Sequence, residues 1–326
     1  MSVSPLILID LCPNSDTGMG RLKKNTYKLK NFFRDDIWTI ELEELSRARA
    51  RFIKYVKVML ITIKTFANER IGFQAVALSF FSTMAVVPFI AIMFAITGGL
   101  GLADKLKELL YAYFNNSQNT IDTVLGFADN IIGTAQSSAM GLVSAMMFAF
   151  IVIWMMLNVE KVFNNVWRVR KSRNIFKRLT FVLALVILSP FVVMVFFAGS
   201  FVYSHALGYL GLDLESLSAF KTILSWLLFT IVVTFVFSAM YKFIPNAKVQ
   251  YGSALRASIP AACAFALVQY MYLETQVFVT RLSAIFGAFA AVPLFMVWIN
   301  IGWFIILIGA ELAYAFQNVD NYNIED

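Results

Sequence analysis

One histidine, two cysteines and a charged fraction of 14% are the scarcities of this 326-residue chain. A lone histidine, His205, leaves nothing from which to build the several-ligand centre of a hydrolytic metalloenzyme. Cys12 lies in a polar amino-terminal stretch and Cys263 inside an apolar run, so no disulfide or redox framework follows. No Gly-rich loop ends in Lys and Ser or Thr to cradle a phosphate, and no Gly-x-Ser-x-Gly elbow presents a nucleophile. Gly98, Gly99 and Gly101 read as a helix stop. An ATP-driven pump, a metal site and a cofactor are therefore not expected, and neither is enzymatic chemistry.

What the chain has in abundance is apolar surface. Hydrophobic residues make up 60% and the mean hydropathy is +0.72, against about 45–50% apolar and about 25% charged in soluble domains. A bilayer core needs roughly 20 apolar residues per helix, because a spanning backbone must satisfy its own hydrogen bonds. Six stretches meet that length, at about 73–99, 140–160, 179–203, 222–244, 254–278 and 291–314. The expected fold is all-α: a polytopic membrane protein with six transmembrane helices. Residues 1–72 form a basic, helix-prone region, 73–316 the six-span domain and 317–326 a tail.

Basic loops resist translocation, so Lys and Arg near the span ends report orientation. Of the 27 basic residues, 23 lie in 1–72, 158–178 and 242–256, while Lys105, Lys107, Lys221 and Arg281 fall on the opposite side. Both termini are expected in the cytoplasm. The net charge of +7 thus describes an orientation, and no nucleic-acid partner is needed to explain it. Val3 to Leu11 is too short and too acidic for a secretory signal, and Met19, followed by Gly20, Arg21, Leu22, Lys23 and Lys24, is an alternative translation start.

Outside the spans two segments are amphipathic. Phe52, Val56, Met59, Ile63 and Phe66 recur every three or four residues with Lys54, Lys57 and Lys64 between them. Such a helix either lies on the anionic inner leaflet or packs under the bundle. On the opposite side, Leu106, Leu109, Leu110 and Tyr113, then Ile121, Val124, Leu125, Ala128 and Ile132, predict two short outer helices.

Charges near the membrane are costly and often mark substrate paths. Arg70, Glu160 and Glu311 fall at one level near the cytoplasmic face, where they either fix the helix ends or form an ion-paired cluster. His205, Glu274 and Arg281 form a second level on the other side, with Glu274 and Arg281 two turns apart on one helix face. They either line a cavity for an anionic head group or are solvated loop-end charges. Among mid-span polar residues Asn300 and Gln269 are the candidates for a pathway. Pro88, Pro190, Pro260 and Pro293 are expected to kink their helices, and Gly302, Gly309, Ala254, Ala257, Ala261 and Ala262 to allow close packing.

Three blocks carry a family resemblance. They are AVALSFFSTMAVVP from Ala75 to Pro88, NVEKVFNNVWRVRKSRNIFKRL from Asn158 onward, and YKFIPN with IFGAFAAVPLFMVWINIGWFIILIGAELA between Tyr241 and Ala315. Together they resemble the YihY/virulence factor BrkB family of bacterial inner-membrane proteins, once labelled ribonuclease BN. Phe286, Gly287 and Ala288 stand where that family commonly has Tyr-Gly-Ala. The resemblance implies a role in moving or organising envelope lipids. Three functions follow in order: a transporter, flippase or export factor for a lipid or other envelope amphiphile; a non-transporting scaffold for envelope assembly; and, last, a membrane-bound ribonuclease. The partners implied are membrane lipids, with envelope-assembly proteins and a homo-oligomer left open.

Overall fold

A computed structural model describes residues 46–68, 70–113, 139–169, 173–209, 218–286 and 291–321, and, between 114 and 138, only positions 122, 125, 126, 129, 130 and 133. Among the described residues there is no strand, and eight helices of eleven residues or more are present. These are α1 (Arg47–Asn68), α2 (Ile71–Gly99), α3 (Ala103–Tyr113), α4 (Ala139–Val166), α5 (Ile175–Tyr209), α6 (Ser218–Phe243), α7 (Tyr251–Phe286) and α8 (Ala291–Asn318), followed by a 3-10 turn at Val319–Asn321. Residues up to Ile61 and residues from Thr62 onward form two compact units, and α1 crosses that boundary.

Five of these helices are long and apolar enough to cross a membrane: Ile71–Gly99, Val143–Val166, Ile223–Phe243, Tyr251–Thr275 and Pro293–Asn318. The stretch expected as another span, 179–203, lies within the 35-residue α5. Of the two outer helices, the first is α3. The second falls mostly outside the described residues, although Leu125 is buried against Met93, Phe94 and Leu106.

Along α2, Phe73, Val76, Phe80, Met84 and Val87 are exposed, while Ile71, Ala75, Leu78, Ser82 and Ala85 are buried. Lipid is as apolar as leucine, so burial of bulk gains nothing inside a bilayer. Close backbone approach and interhelical hydrogen bonds must hold the bundle instead. The main core accordingly combines Ala254, Ala257, Ala261, Ala262, Ala310 and Ala313 with a few large groups, chiefly Phe163, Tyr241 and Leu307. Helices α6, α7 and α8 pack side by side, α8 also packs on α2, and α2 packs on α4.

Three of the four prolines expected to kink their helices lie inside them. Helices α2, α5 and α7 run on through Pro88, Pro190 and Pro260. At Pro190 the lost donor leaves the Val186 carbonyl free, and the Ser189 hydroxyl donates to it at 2.7 Å, which repairs the ladder. Pro293 is two residues into α8, where a missing N–H removes no intrahelical bond. It marks a helix start and corrects the expected kink.

Outside the spans, α3 carries a small polar network. Lys107 Nζ reaches Asp129 at 3.2 Å, and the Tyr111 hydroxyl donates to Asp122 at 2.5 Å. That hydrogen bond to a carboxylate raises the Tyr111 pKa, with smaller contributions from desolvation and from the charges of Asp122 and Asp129. A value raised on folding contributes stability that is complete below the ordinary tyrosine range and is lost as pH rises through the folded value. Asp122→Asn is therefore expected to return one tyrosinate absorbance transition to the ordinary range near pH 10. An unchanged spectroscopic titration would show that the contact does not form.

Candidate functional site at the basic end of the bundle

The start of α2, the ends of α4, α6 and α8 and the starts of α5 and α7 meet at one end of the bundle. The helices alternate in direction, and contacts such as Trp167 with Tyr314 and Asn164 with Asn246 join them there. Arg70, Lys161, Arg168, Arg173, Arg178 and Lys242 are among the basic residues at this end, and two carboxylates are buried in it.

Glu160, near the end of α4, is 2% exposed. Its Oε2 accepts a hydrogen bond from Arg178 Nε at 2.9 Å, and Arg178 Nη2 donates to the Leu157 carbonyl at 2.8 Å. Glu160 Oε1 is buried without a hydrogen-bond partner. The observed partner of Glu160 is thus Arg178 in the first turn of α5, a residue outside the expected cluster. Arg70 is exposed, and its left-handed φ of 50° turns the chain between α1 and α2.

Glu311 is fully buried in α8. Asn300, Trp303, Leu307, Glu311 and Tyr314 follow one another at helical spacing, so they share a face. Their observed contacts locate that face: Asn300 Nδ2 lies 3.4 Å from Ser79 Oγ, Trp303 Nε1 donates to Ser82 Oγ at 2.8 Å, and the Tyr314 ring sits 5.7 Å from Trp167. Glu311 therefore belongs to the stripe that α8 presents to α2 and α4. On the other side of α8, Gly309 abuts Tyr241 and Ala261, and a Cβ there would lie 2.8 Å from Tyr241 Cζ. Tyr241 and Ser238, one turn apart on α6, are fully buried with hydroxyls that have no hydrogen-bond partner.

The connection between α6 and α7, which contains the IPN of YKFIPN, is held from α4, from α8 and from the segment just before α5. Asn164 Oδ1 accepts from the Asn246 N–H at 2.7 Å, Arg173 Nη2 donates to the carbonyls of Phe243 and Pro245, and Gln317 both accepts from Gln250 N–H and donates to Lys248 O. Asn164, Arg173, Arg178 and Gln317 were not singled out by sequence. Their only signal was membership of the basic connecting segment and a buried-face register.

The remaining candidates do not join this group. Gln269 accepts from Trp298 Nε1 at 3.1 Å, tying α7 to α8. Glu274 is exposed on α7. His205 and Arg281 are helical in α5 and α7, and their side chains lie outside the described residues, as does the level they were expected to form with Glu274. Among the described residues no three His, Cys, Asp or Glu side chains gather as a metal set requires.

Comparison with known proteins places this geometry in a family. The Virulence factor BrkB family model matches residues 62–326. A UPF0761 membrane protein of Methylibium petroleiphilum is 29% identical over 262 residues, covering 78% of this chain and 62% of the relative. Another from Janthinobacterium sp. (strain Marseille) is 30% identical over 77% of this chain and 58% of its own length. A third, from Vibrio vulnificus YJ016, is 26% identical over 87% of this chain and 88% of its own. The chain thus spans about three fifths of the length of the first two relatives. No solved structure matches. With the match running from the end of α1 through every helix of the bundle, this membrane protein belongs to the Virulence factor BrkB family.

Proposed function

We propose that the chain is a bacterial cytoplasmic-membrane transporter, flippase or export factor for a lipid or other envelope amphiphile. It crosses the membrane six times, α5 being the sixth span, and keeps both termini in the cytoplasm. A 35-residue helix is about 50 Å long at 1.5 Å per residue, more than the hydrocarbon core requires. The 23 basic residues on one side supply the orientation.

The observation that carries the transport reading is the burial of Glu160 and Glu311 within long apolar helices. A charged side chain costs about 2.5–3.5 kcal/mol at the centre of a spanning helix, and intramembrane carboxylates accordingly mark substrate or proton paths. Anchoring alone would be served more cheaply by the exposed Arg70 and Lys161. A polar level set against apolar helix faces suits a molecule with a polar head and an apolar tail.

Reconstituted protein tests this. Proteoliposomes carrying fluorescent phospholipids in both leaflets are expected to expose the inner-leaflet pool to an impermeant reductant faster than empty vesicles do. Equal rates across phospholipid and lipid-linked substrates would contradict the reading and leave a scaffold role.

A further inference from the structure

We infer that α1 docks an exposed apolar stripe onto an anionic phospholipid bilayer surface. The stripe consists of Phe52, Tyr55, Met59 and Ile63, which recur at helical spacing and are between 55% and 70% exposed. Val58, Ile61, Thr62 and Thr65, on a different face of the same helix, are buried. The helix therefore has one face already packed and a second whose large apolar side chains are exposed. The two faces reconcile the alternatives left open by the sequence.

Charge and chain length point to lipid as the occupant. The 22 residues of α1 contain six basic residues and no acidic one; Arg49, Arg51 and Lys64 are exposed and Lys54 is half-buried, while Lys57 lies on the packed face. The acids nearest in sequence, Glu41, Glu43, Glu44 and Glu69, lie before and after the helix. Only two residues separate Asn68 from Ile71, where a membrane-spanning helix begins. Fully extended, that link reaches about 10 Å, roughly one Debye length at physiological salt. The last turn of α1 is thus tied within the range over which anionic head groups attract basic segments. Within that turn Phe66 stacks edge-on to Phe304 at 5.0 Å, and Phe304 also lies 3.8 Å from where a Cβ of Gly72 would be. The carboxyl end of α1 is held at the level of the first turn of α2. A basic helix with large apolar side chains on one face and such a tether is the form that lies in a membrane interface. This inference stands apart from the transport reading, since docking needs no translocation.

The test uses the full chain with Cys12 and Cys263 replaced by serine and Met59→Cys labelled with a polarity-sensitive fluorophore. The labelled protein is reconstituted into phosphatidylcholine vesicles with or without phosphatidylglycerol. With phosphatidylglycerol the label is expected to shift to the blue and to be protected from an aqueous quencher. Protection should fall about tenfold or more in pure phosphatidylcholine, or when Arg47, Arg49 and Arg51 are changed together to glutamine. Equal quenching with and without phosphatidylglycerol would overturn the inference: if high, no lipid covers the stripe, and if low, protein covers it. Size-exclusion elution of each variant checks that the bundle is folded.

Discussion

Gly309→Leu is expected to abolish recovery of folded protein, and Gly309→Ala to lower its melting temperature by roughly 5–10 °C. A Cβ at this position would overlap the Tyr241 hydroxyl and stand 2.8 Å from Tyr241 Cζ and 2.9 Å from Ala261 Cβ. Two effects oppose each other. Alanine improves helix propensity by about 1 kcal/mol over glycine, whereas overpacking a dense interior costs about 1–3 kcal/mol and sometimes more. Overpacking wins here because both neighbours are rigid: a ring held among Phe163 and Phe237, and a methyl on the facing helix backbone. Tyr241→Phe removes the hydroxyl but leaves the other two contacts, so the double variant should recover only part of the loss. Thermal unfolding in detergent, read by size-exclusion recovery, measures this. A Gly309→Ala protein as stable as the parent would show that α6, α7 and α8 do not meet there.

Arg178→Ala is expected to destabilise the bundle by about 3–5 kcal/mol, the cost of leaving a buried carboxylate without its partner. The guanidinium is 21% exposed and Glu160 is 2% exposed, so solvent screens the pair only modestly. Arg178 also holds the Leu157 carbonyl, which Arg178→Lys cannot do at the same time. Lysine should therefore restore part of the stability. Replacing the pair together, Glu160→Leu with Arg178→Met, removes the charge problem and should come close to the parent. If Arg178→Ala loses no more than the double variant, the pair does not form. Chemical denaturation of the four proteins in one detergent gives the comparison.

The spans were legible because apolar length is a one-dimensional signal. Ala139–Val166 and Ala291–Asn318 start within one residue of the stretches 140–160 and 291–314 and run on a few residues past their ends. The buried carboxylates could be read for the same reason, since Glu160 and Glu311 interrupt apolar helices. Their partners could not. Arg178 is one of seven basic residues in 158–178, and orientation alone accounts for such an excess. Only the fold shows which one turns inward from the first turn of α5. Arg70, at the joint between α1 and α2, has a left-handed backbone that no sequence pattern announced. Proline was read too simply: Pro190 sits beside a serine whose hydroxyl takes over the missing bond, a repair visible only with the helix in hand. Asn300 and Gln269 were marked as pathway residues, yet each bridges two helices, the cheaper use of a polar group in a bundle.

The central claim is that the buried carboxylate of α8 belongs to a route for an amphiphile. It is tested most directly by measuring reductant-accessible fluorescent lipid in proteoliposomes of the parent and of Glu311→Gln, with both proteins shown to be folded and equally incorporated. The account predicts translocation above empty vesicles for the parent and a loss of tenfold or more for the glutamine variant, about 1.4 kcal/mol on the barrier. A parent indistinguishable from empty vesicles, or a Glu311→Gln protein as fast as the parent, would contradict it.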